Sequence, residues 1–356
     1  MSKSKFLLVE YTAHFRNALD NFKIFQKFYD CYLLTSKKKQ KHIKLRNKKI
    51  IFKWPEFLIL FYVIFNGYKY KYIYFSTPHE YPDYPKGLIN NIFFFYCFAL
   101  HNIILIIYRN KVILQLRGLH RYFPEISSRL NKPTLYSRLR KFYLDQCKII
   151  VCESEFLKKE LKQKLSGIKN IIVIYYAYSK KNVKVKFKFD KKKLNIGILG
   201  KVDNNRKDYN MLTRILKNKF FFDTKISLTF LGSANNNLAK KKIKEFSKLS
   251  NKIISKNYFI EKDFVKFGKK CDFLISLNNK TNLYGETRMS GCFGDAILLK
   301  KYLYCPTFED PYREFSDFTF YFKNVINLVS DVKLRSKKNK TIFFDRSKYE
   351  RLIKTI

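Results

Sequence analysis

Acidic side chains are scarce in this sequence: 28 Asp and Glu stand against 73 Lys and Arg in 356 residues, a formal net charge of +45. The imbalance is even along the chain, with 32 basic and 11 acidic residues in 1–176 and 41 and 17 in 177–356. Nucleic-acid binders cluster their basic residues on one face, so an even spread argues against a nucleic-acid partner. Of the basic residues 58 are Lys. Lys, Asn, Ile, Phe and Tyr all have AT-rich codons, which points to an AT-rich bacterial genome. Such a charge would still draw the protein to anionic lipid surfaces and phosphate-bearing ligands.

Paired cysteines are missing as well. The seven Cys form an odd set without a Cys-x-x-Cys pair, and most lie in apolar runs. That excludes the usual zinc frameworks and leaves reduced, buried thiols. The opening segment Met1–Val9 has too short an apolar core for a signal peptide and reads as a first strand, so the expected location is cytoplasmic. Leu88–Ile107 has about the length of a membrane span. It is interrupted by Asn90, Asn91, His101 and Asn102, and reads as a buried helix feeding the strand Val112–Leu116. Glu56–Phe65 is too short to cross. Both segments would also suit an apolar surface pressed peripherally on the inner membrane face, with the basic run Lys37–Lys49 at the headgroups; a solvated loop is the plainer reading of that run.

What the chain does have is a repeated strand–helix rhythm. Phe6–Val9, Cys31–Leu34, Tyr70–Phe75, Val112–Leu116, Lys148–Cys152 and Ile171–Tyr175 read as strands of a first half. Ser154 stands as N-cap of a helix with Leu157, Leu161 and Leu165 on one face. A Lys-rich stretch, 179–193, reads as a linker between a domain over 1–178 and another over 194–356. The rhythm resumes with strands around Asn195–Gly200, Leu228–Leu231, Phe273–Leu277 and Leu303–Pro306. Alternation of this kind predicts an α/β protein of two Rossmann-like domains, with parallel sheets and ligands at the carboxyl ends of strands.

The segment Tyr284-Gly-Glu-Thr-Arg-Met-Ser-Gly-Cys-Phe-Gly-Asp-Ala296 carries the most chemistry. It follows a strand and an Asn-rich loop and leads into a helix, placing Glu286 in the loop, Ser290 and Gly291 at the helix start, and Asp295 in its first turns. A helix N-terminus presents free N–H groups and a positive dipole end to a diphosphate. Carboxylates beside it can accept hydrogen bonds from sugar hydroxyls. In the second domain's first loop, Lys201 follows the strand ending at Gly200, a basic pair stands at Arg206-Lys207, and Asp208 caps the next helix. Lys and Arg both serve as phosphate partners.

These residues resemble the GT-B-fold glycosyltransferases, in particular the retaining group called family four (glycosyl transferases group 1). Tyr284-Gly-Glu286 and Gly294-Asp-Ala296 stand for that family's Glu-Gly-Phe-Gly and Glu-Ala elements. The spacing is one residue longer, and Asp replaces the second Glu. Lys201 and Arg206 match the spacing of its diphosphate-gripping Arg and Lys with identities exchanged. The resemblance implies two domains facing one cleft and transfer from a nucleotide-sugar donor to a glycan or polyprenyl-linked acceptor. A bacterial surface glycan is the natural product. Lys201, Arg206, Ser290, Gly291 and Asp295 would bind the donor, and Glu286 would position its sugar. No cofactor is implied, and the Asp-x-Asp motif of the metal-dependent alternative fold is missing, so no metal is expected.

The first domain would hold the acceptor. His120 follows a strand where the family often has a His near the reacting sugar, and is the catalytic candidate there. His79, Glu80 and Asp83, in a Pro-punctuated loop, are rivals, and Glu80 or Asp83 would supply the base of an inverting enzyme. The family's Gly-rich acceptor turn has no counterpart in Tyr11-Thr-Ala-His-Phe-Arg16. Two other classes stay open: a non-catalytic protein of the same fold that binds sugar nucleotides or glycans, and, on charge alone, a nucleic-acid binder.

Overall fold

The computed structural model describes residues 3–10, 15–37, 49–53, 57–76, 88–126, 134–165, 167, 170–174, 184–186, 192–221, 224–234, 236–257, 259–280, 283–335 and 341–343. The chain divides into two compact units, whose described residues lie within Met1–Ser179 and Lys180–Arg346 respectively.

The first unit runs β1 (Lys5–Glu10), α1 (Phe15–Phe25), β2 (Asp30–Ser36), β3 (Ile50–Lys53), α2 (Phe57–Asn66), β4 (Tyr72–Phe75), α3 (Leu88–Tyr108), β5 (Val112–Leu116), α4 (Leu135–Asp145), β6 (Ile149–Cys152), α5 (Glu155–Lys164) and β7 (Asn170–Val173). Its seven described strands form one parallel sheet in the order β3-β2-β1-β4-β5-β6-β7. Strands covered by helices on both faces need unbroken apolar runs, and Phe6–Val9 and Val112–Leu114 are buried throughout. Local signals set the helix starts. Ser154 accepts from the Leu157 N–H at 3.3 Å, and Thr134 and Ser137 form a reciprocal capping box. Gly67 matters for packing, since a β-carbon there would lie 2.6 Å from the Tyr108 ring. With that space open, the Tyr108 hydroxyl donates to the Ile64 carbonyl at 2.6 Å and ties α3 to α2. No described helix is long and apolar enough to cross a membrane.

The second unit runs β8 (Lys184–Lys186), β9 (Lys193–Ile198), α6 (Tyr209–Leu216), β10 (Lys225–Ser233), α7 (Asn237–Ser247), β11 (Lys252–Lys256), α8 (Glu261–Gly268), β12 (Phe273–Ile275), α9 (Cys292–Leu299), β13 (Leu303–Pro306), β14 (Thr319–Phe322), α10 (Val325–Arg335) and β15 (Thr341–Phe343). Six described strands form a second parallel sheet, ordered β11-β10-β9-β12-β13-β14. Its core gathers Ile196, Ile198, Leu228, Phe230, Phe273 and Tyr304 from the strands, with Leu212 and Ile215 from α6. Within the Lys-rich 179–193 stretch, β8 pairs antiparallel with β15, so three of its residues belong to a small ladder of this unit. Both large sheets are of the doubly wound α/β type that the strand–helix rhythm predicts.

Candidate functional site

In the second sheet the chain runs from β9 to β10 and β11 on one side, then crosses back to place β12 on the other side of β9. Such a reversal opens a crevice at the carboxyl ends of the two central strands, where ligands of open α/β sheets bind. β9 is followed by Leu199-Gly200-Lys201, with Gly200 at φ +85°. A β-carbon on Gly232, at the end of β10, would overlap the Gly200 carbonyl. The two backbones therefore touch, and the Val202 N–H donates to the Ser233 carbonyl at 3.0 Å. The following turn is closed by the Asp203 carboxylate, which accepts from the Asn205 N–H at 3.0 Å. It is pinned to the chain just past β12 by the Asp208 N–H donating to Leu277 O at 2.7 Å. Asp208 then caps α6, accepting from the Met211 N–H at 2.9 Å.

A buried polar network sits at this point. Lys207 Nζ donates to Asn278 Oδ1 at 2.8 Å, and Asn278 Nδ2 lies 2.9 Å from Glu309 Oε2 and 3.1 Å from Ser290 Oγ. The Ser276 hydroxyl donates to Glu309 Oε1 at 2.6 Å. Glu309, on the 3-10 turn after β13, is fully buried, and Lys207 is 7% exposed. A buried cation and a buried carboxylate, each hydrogen-bonded into one net, satisfy what burial demands of charges. Burial pushes the Lys207 ammonium below its ordinary pKa, and the charge of Glu309 works against that. Asp295 acts on Lys207 in the same sense as Glu309. Burial and the Glu309 charge push the Cys292 thiol far up, which removes it as a nucleophile. The net gathers the segments that follow β9, β12 and β13 and the residues that open α9.

The Tyr284–Gly291 segment forms a tight turn beside it. Gly285 has φ +75°, and a β-carbon there would overlap the Phe308 carbonyl, so conformation and space both demand glycine. The Gly285 N–H donates to Arg288 O at 2.9 Å and the Thr287 N–H to Leu283 O at 3.0 Å, which holds half-buried Glu286 within the turn. The Arg288 guanidinium lies 4.3 Å from the Tyr284 ring centroid. Arg206 donates to the Tyr284 hydroxyl and thereby joins the first loop to this turn. Gly291 precedes α9 with no side-chain cap and open space where a β-carbon would stand, and Asp295 lies in the first turn. The leading N–H groups of a helix have no intrahelical partner, and here no side chain at the N-cap takes one up.

The expected donor-site residues thus fall as follows. Arg206, Glu286, Ser290, Gly291 and Asp295 belong to one neighbourhood, linked through Tyr284 and Asn278. Lys201 is exposed at the end of β9. Lys207, Asn278 and Glu309 are additions. Lys207 is one basic residue among 73, but Glu309 had a readable signal: a carboxylate just past the apolar run Leu303–Pro306, in a chain with 28 acids.

In the first unit, His120 lies partly exposed on the 3-10 turn Leu119–Arg121 after β5. His79, Glu80 and Asp83 lie outside the described residues. A second buried network lies at this sheet's reversal, between β1 and β4. The Ser76 hydroxyl donates to the fully buried Glu10, and Arg117 Nε donates to Ser76 O at 3.2 Å. Arg117 Nε also stands 3.8 Å from Glu153, to which Gln115 Nε2 donates at 3.3 Å.

No known family matches the sequence, and no curated protein matches it. Solved structures do match in fold. A sucrose-phosphate synthase from Thermosynechococcus elongatus superposes with TM-score 0.60 at 7% identity, over 99% of this chain and 92% of that one. The E. coli trehalose-6-phosphate structure bound with UDP-2-fluoro glucose gives 0.54 at 9% identity, over 99% and 94%. UDP-GlcNAc 2-epimerase from Neisseria meningitidis, bound to UDP-GlcNAc, gives 0.54 at 12% identity, over 98% and 94%. At these identities the likeness is one of fold, and the fold of this chain is of the GT-B type.

Proposed function

We propose that this chain is a nucleotide-sugar-dependent glycosyltransferase whose second unit binds the donor. The observation that carries the reading is the hydrogen bond from Asn278 to Ser290, which fixes the start of α9 at the β9/β12 reversal. A diphosphate there would meet the N–H groups of α9, the Arg206 guanidinium and, at the loop's exposed end, Lys201. As the sugar–phosphate bond breaks, negative charge grows on the departing diphosphate, and a fixed array of donors lowers the barrier. Lys207, held in place by Asn278, stands behind that array. Glu286 accepts from donor-sugar hydroxyls and fixes the anomeric carbon, and Asp295 accepts from the ribose. Transfer with retention, independent of a metal ion, follows the family that the Tyr284–Ala296 motif resembles. The acceptor is a glycan or polyprenyl-linked sugar of the kind that builds bacterial surface polysaccharide, and His120 is the first unit's candidate for contact with the reacting sugar. A second reading rests on the epimerase structure of like fold: the same donor site in an enzyme that isomerises the nucleotide-sugar without an acceptor.

The test is a thermal-shift screen against UDP-, GDP-, CMP- and dTDP-sugars, repeated with Arg206→Ala and Lys201→Ala, then product analysis with the nucleotide that binds. Selective binding raises the melting temperature once ligand exceeds its dissociation constant. A shift with one nucleotide, lost in Arg206→Ala, supports the donor site. Sugar found on an added glycan supports transfer, and an isomerised nucleotide-sugar supports the second reading. No shift with any nucleotide-sugar overturns both.

A further inference from the structure

Helix α3 is apolar on two opposite faces. Cys97, Leu100, Ile104, Leu105 and Tyr108 are buried in the first unit's core. On the other side Ile92, Ile103, Ile106 and Ile107 recur at helical spacing and face outward, with Ile106 81% exposed and Ile92 60%. A surface helix normally pairs an apolar stripe with a polar one, so a second apolar stripe needs an occupant. The stripe continues onto α2 and the turn after it, where Phe65 is 69% and Tyr68 64% exposed. The two helices are adjacent: the Tyr108 hydroxyl reaches Ile64 O, and the Phe61 and Tyr96 ring centroids are 6.3 Å apart.

Charge decides what covers this surface. Neither 57–76 nor 88–124 contains an Asp or Glu. Exposed Lys69, Lys71 and Arg109 stand at the C-terminal ends of the two helices, and Lys111 reaches back to the Tyr68 carbonyl at 3.3 Å. A second copy would bring a like basic rim, and a like net charge of +45, against the first. An anionic bilayer offers the opposite charge to the rim and an acyl boundary to the stripe. Long basic side chains can keep their heads at phosphates while their stems lie along apolar surface.

We infer that the α2–α3 face seats this protein on the surface of an anionic lipid bilayer, with Phe65, Ile103, Ile106 and Ile107 entering the headgroup–acyl boundary and Lys69, Lys71 and Arg109 at the lipid phosphates. The seat lies on the membrane and does not span it. It stands apart from the donor-site reading, because binding to lipid requires no nucleotide-sugar.

The test is co-sedimentation of the full chain with vesicles of phosphatidylcholine alone and of phosphatidylcholine with phosphatidylglycerol, using wild type and a Phe65→Ser/Ile106→Ser double variant. Both side chains are solvent-facing and the exchange leaves net charge unchanged, so an equal melting temperature verifies an intact fold. Wild type is expected to bind the anionic vesicles, and the double variant to bind them at least about tenfold more weakly at equal salt. Wild type that stays in the supernatant overturns the inference. So does a double variant that binds like wild type, which would leave only the diffuse attraction of a basic protein. A wild-type dimer in sedimentation velocity that the double variant converts to monomer, without vesicle binding, overturns it in favour of a second copy.

Discussion

Lys207 and Asn278, 71 positions apart, meet at 2.8 Å in the interior of the second unit, one from each side of the point where its sheet reverses direction. Removing the ammonium leaves Glu309 buried without its countercharge. Lys207→Met is expected to cost about 3 kcal/mol of stability, read as a lowered urea midpoint. Lys207→Met/Glu309→Gln should recover much of that loss, because it removes both charges. A double variant as unstable as the sum of the two single ones would show that the charges do not interact.

Two glycines of one segment should behave oppositely. Gly285→Ala forces a β-carbon into the Phe308 carbonyl at a positive φ and is expected to cost at least about 2 kcal/mol, or to displace the Tyr284–Arg288 turn. Gly291→Ala meets open space at φ −65° and should change stability by less than about 1 kcal/mol. Thermal melts of the two variants side by side make the comparison.

If the donor reading holds, Arg206 and Glu286 separate in kinetics. Arg206→Ala removes a diphosphate contact and should raise the donor KM by about tenfold or more. Tyr284→Phe, which removes only the hydroxyl that accepts from Arg206, should have a smaller effect in the same direction. Glu286→Gln should lower kcat by about a hundredfold with KM nearly unchanged, as expected for a group that acts mostly in the transition state. Steady-state rates over a donor concentration series distinguish the three.

Acid stability should report on His101. This residue is fully buried, with Nδ1 2.8 Å from the Cys97 carbonyl and its ring edge-on to Phe75 and Tyr143. Burial pushes its pKa down from 6.5 to about 4. Between those values the unfolded chain binds a proton that the folded chain does not, so stability rises with pH across the window and falls on acidification. The contribution lost between pH 7 and pH 5 is about 2 kcal/mol. His101→Leu should show a correspondingly shallower fall in urea midpoint over that interval, and equal slopes would refute the assignment.

The fold was legible wherever one stretch of chain carries its own signal. Val112–Leu116 and Leu303–Pro306 are strands over just the spans their apolar runs predict, and Ser154 and Asp208 cap helices as their positions imply. The start of α9 after Gly291 was equally readable from the loop that precedes it. Of the edge strands β7 was legible, as part of Ile171–Tyr175, but β3, β11 and β14 were not. β11 reads Lys-Ile-Ile-Ser-Lys and is half exposed at the sheet margin, too short and polar to stand out from the loops around it. The buried network as a set was illegible for another reason: Lys207, Asn278 and Glu309 come from three separate loops, and only the placing of β12 beside β9 and of β13 beside β12 assembles them. In so basic a sequence, no local feature distinguishes the lysine that turns inward from its many solvated neighbours.

The contact between Gly200 and Gly232 has a consequence for how this protein can change over time. At one corner of the crevice the two strand ends meet through peptide groups, with a β-carbon on Gly232 excluded by the Gly200 carbonyl. Side chains around that corner can be exchanged without altering its outline. The two glycines are closed to substitution, since any β-carbon at Gly232 strikes the Gly200 carbonyl and any side chain at Gly200 must adopt a strained φ. Where the wall of a crevice is main chain, its shape is inherited through the positions that must stay empty.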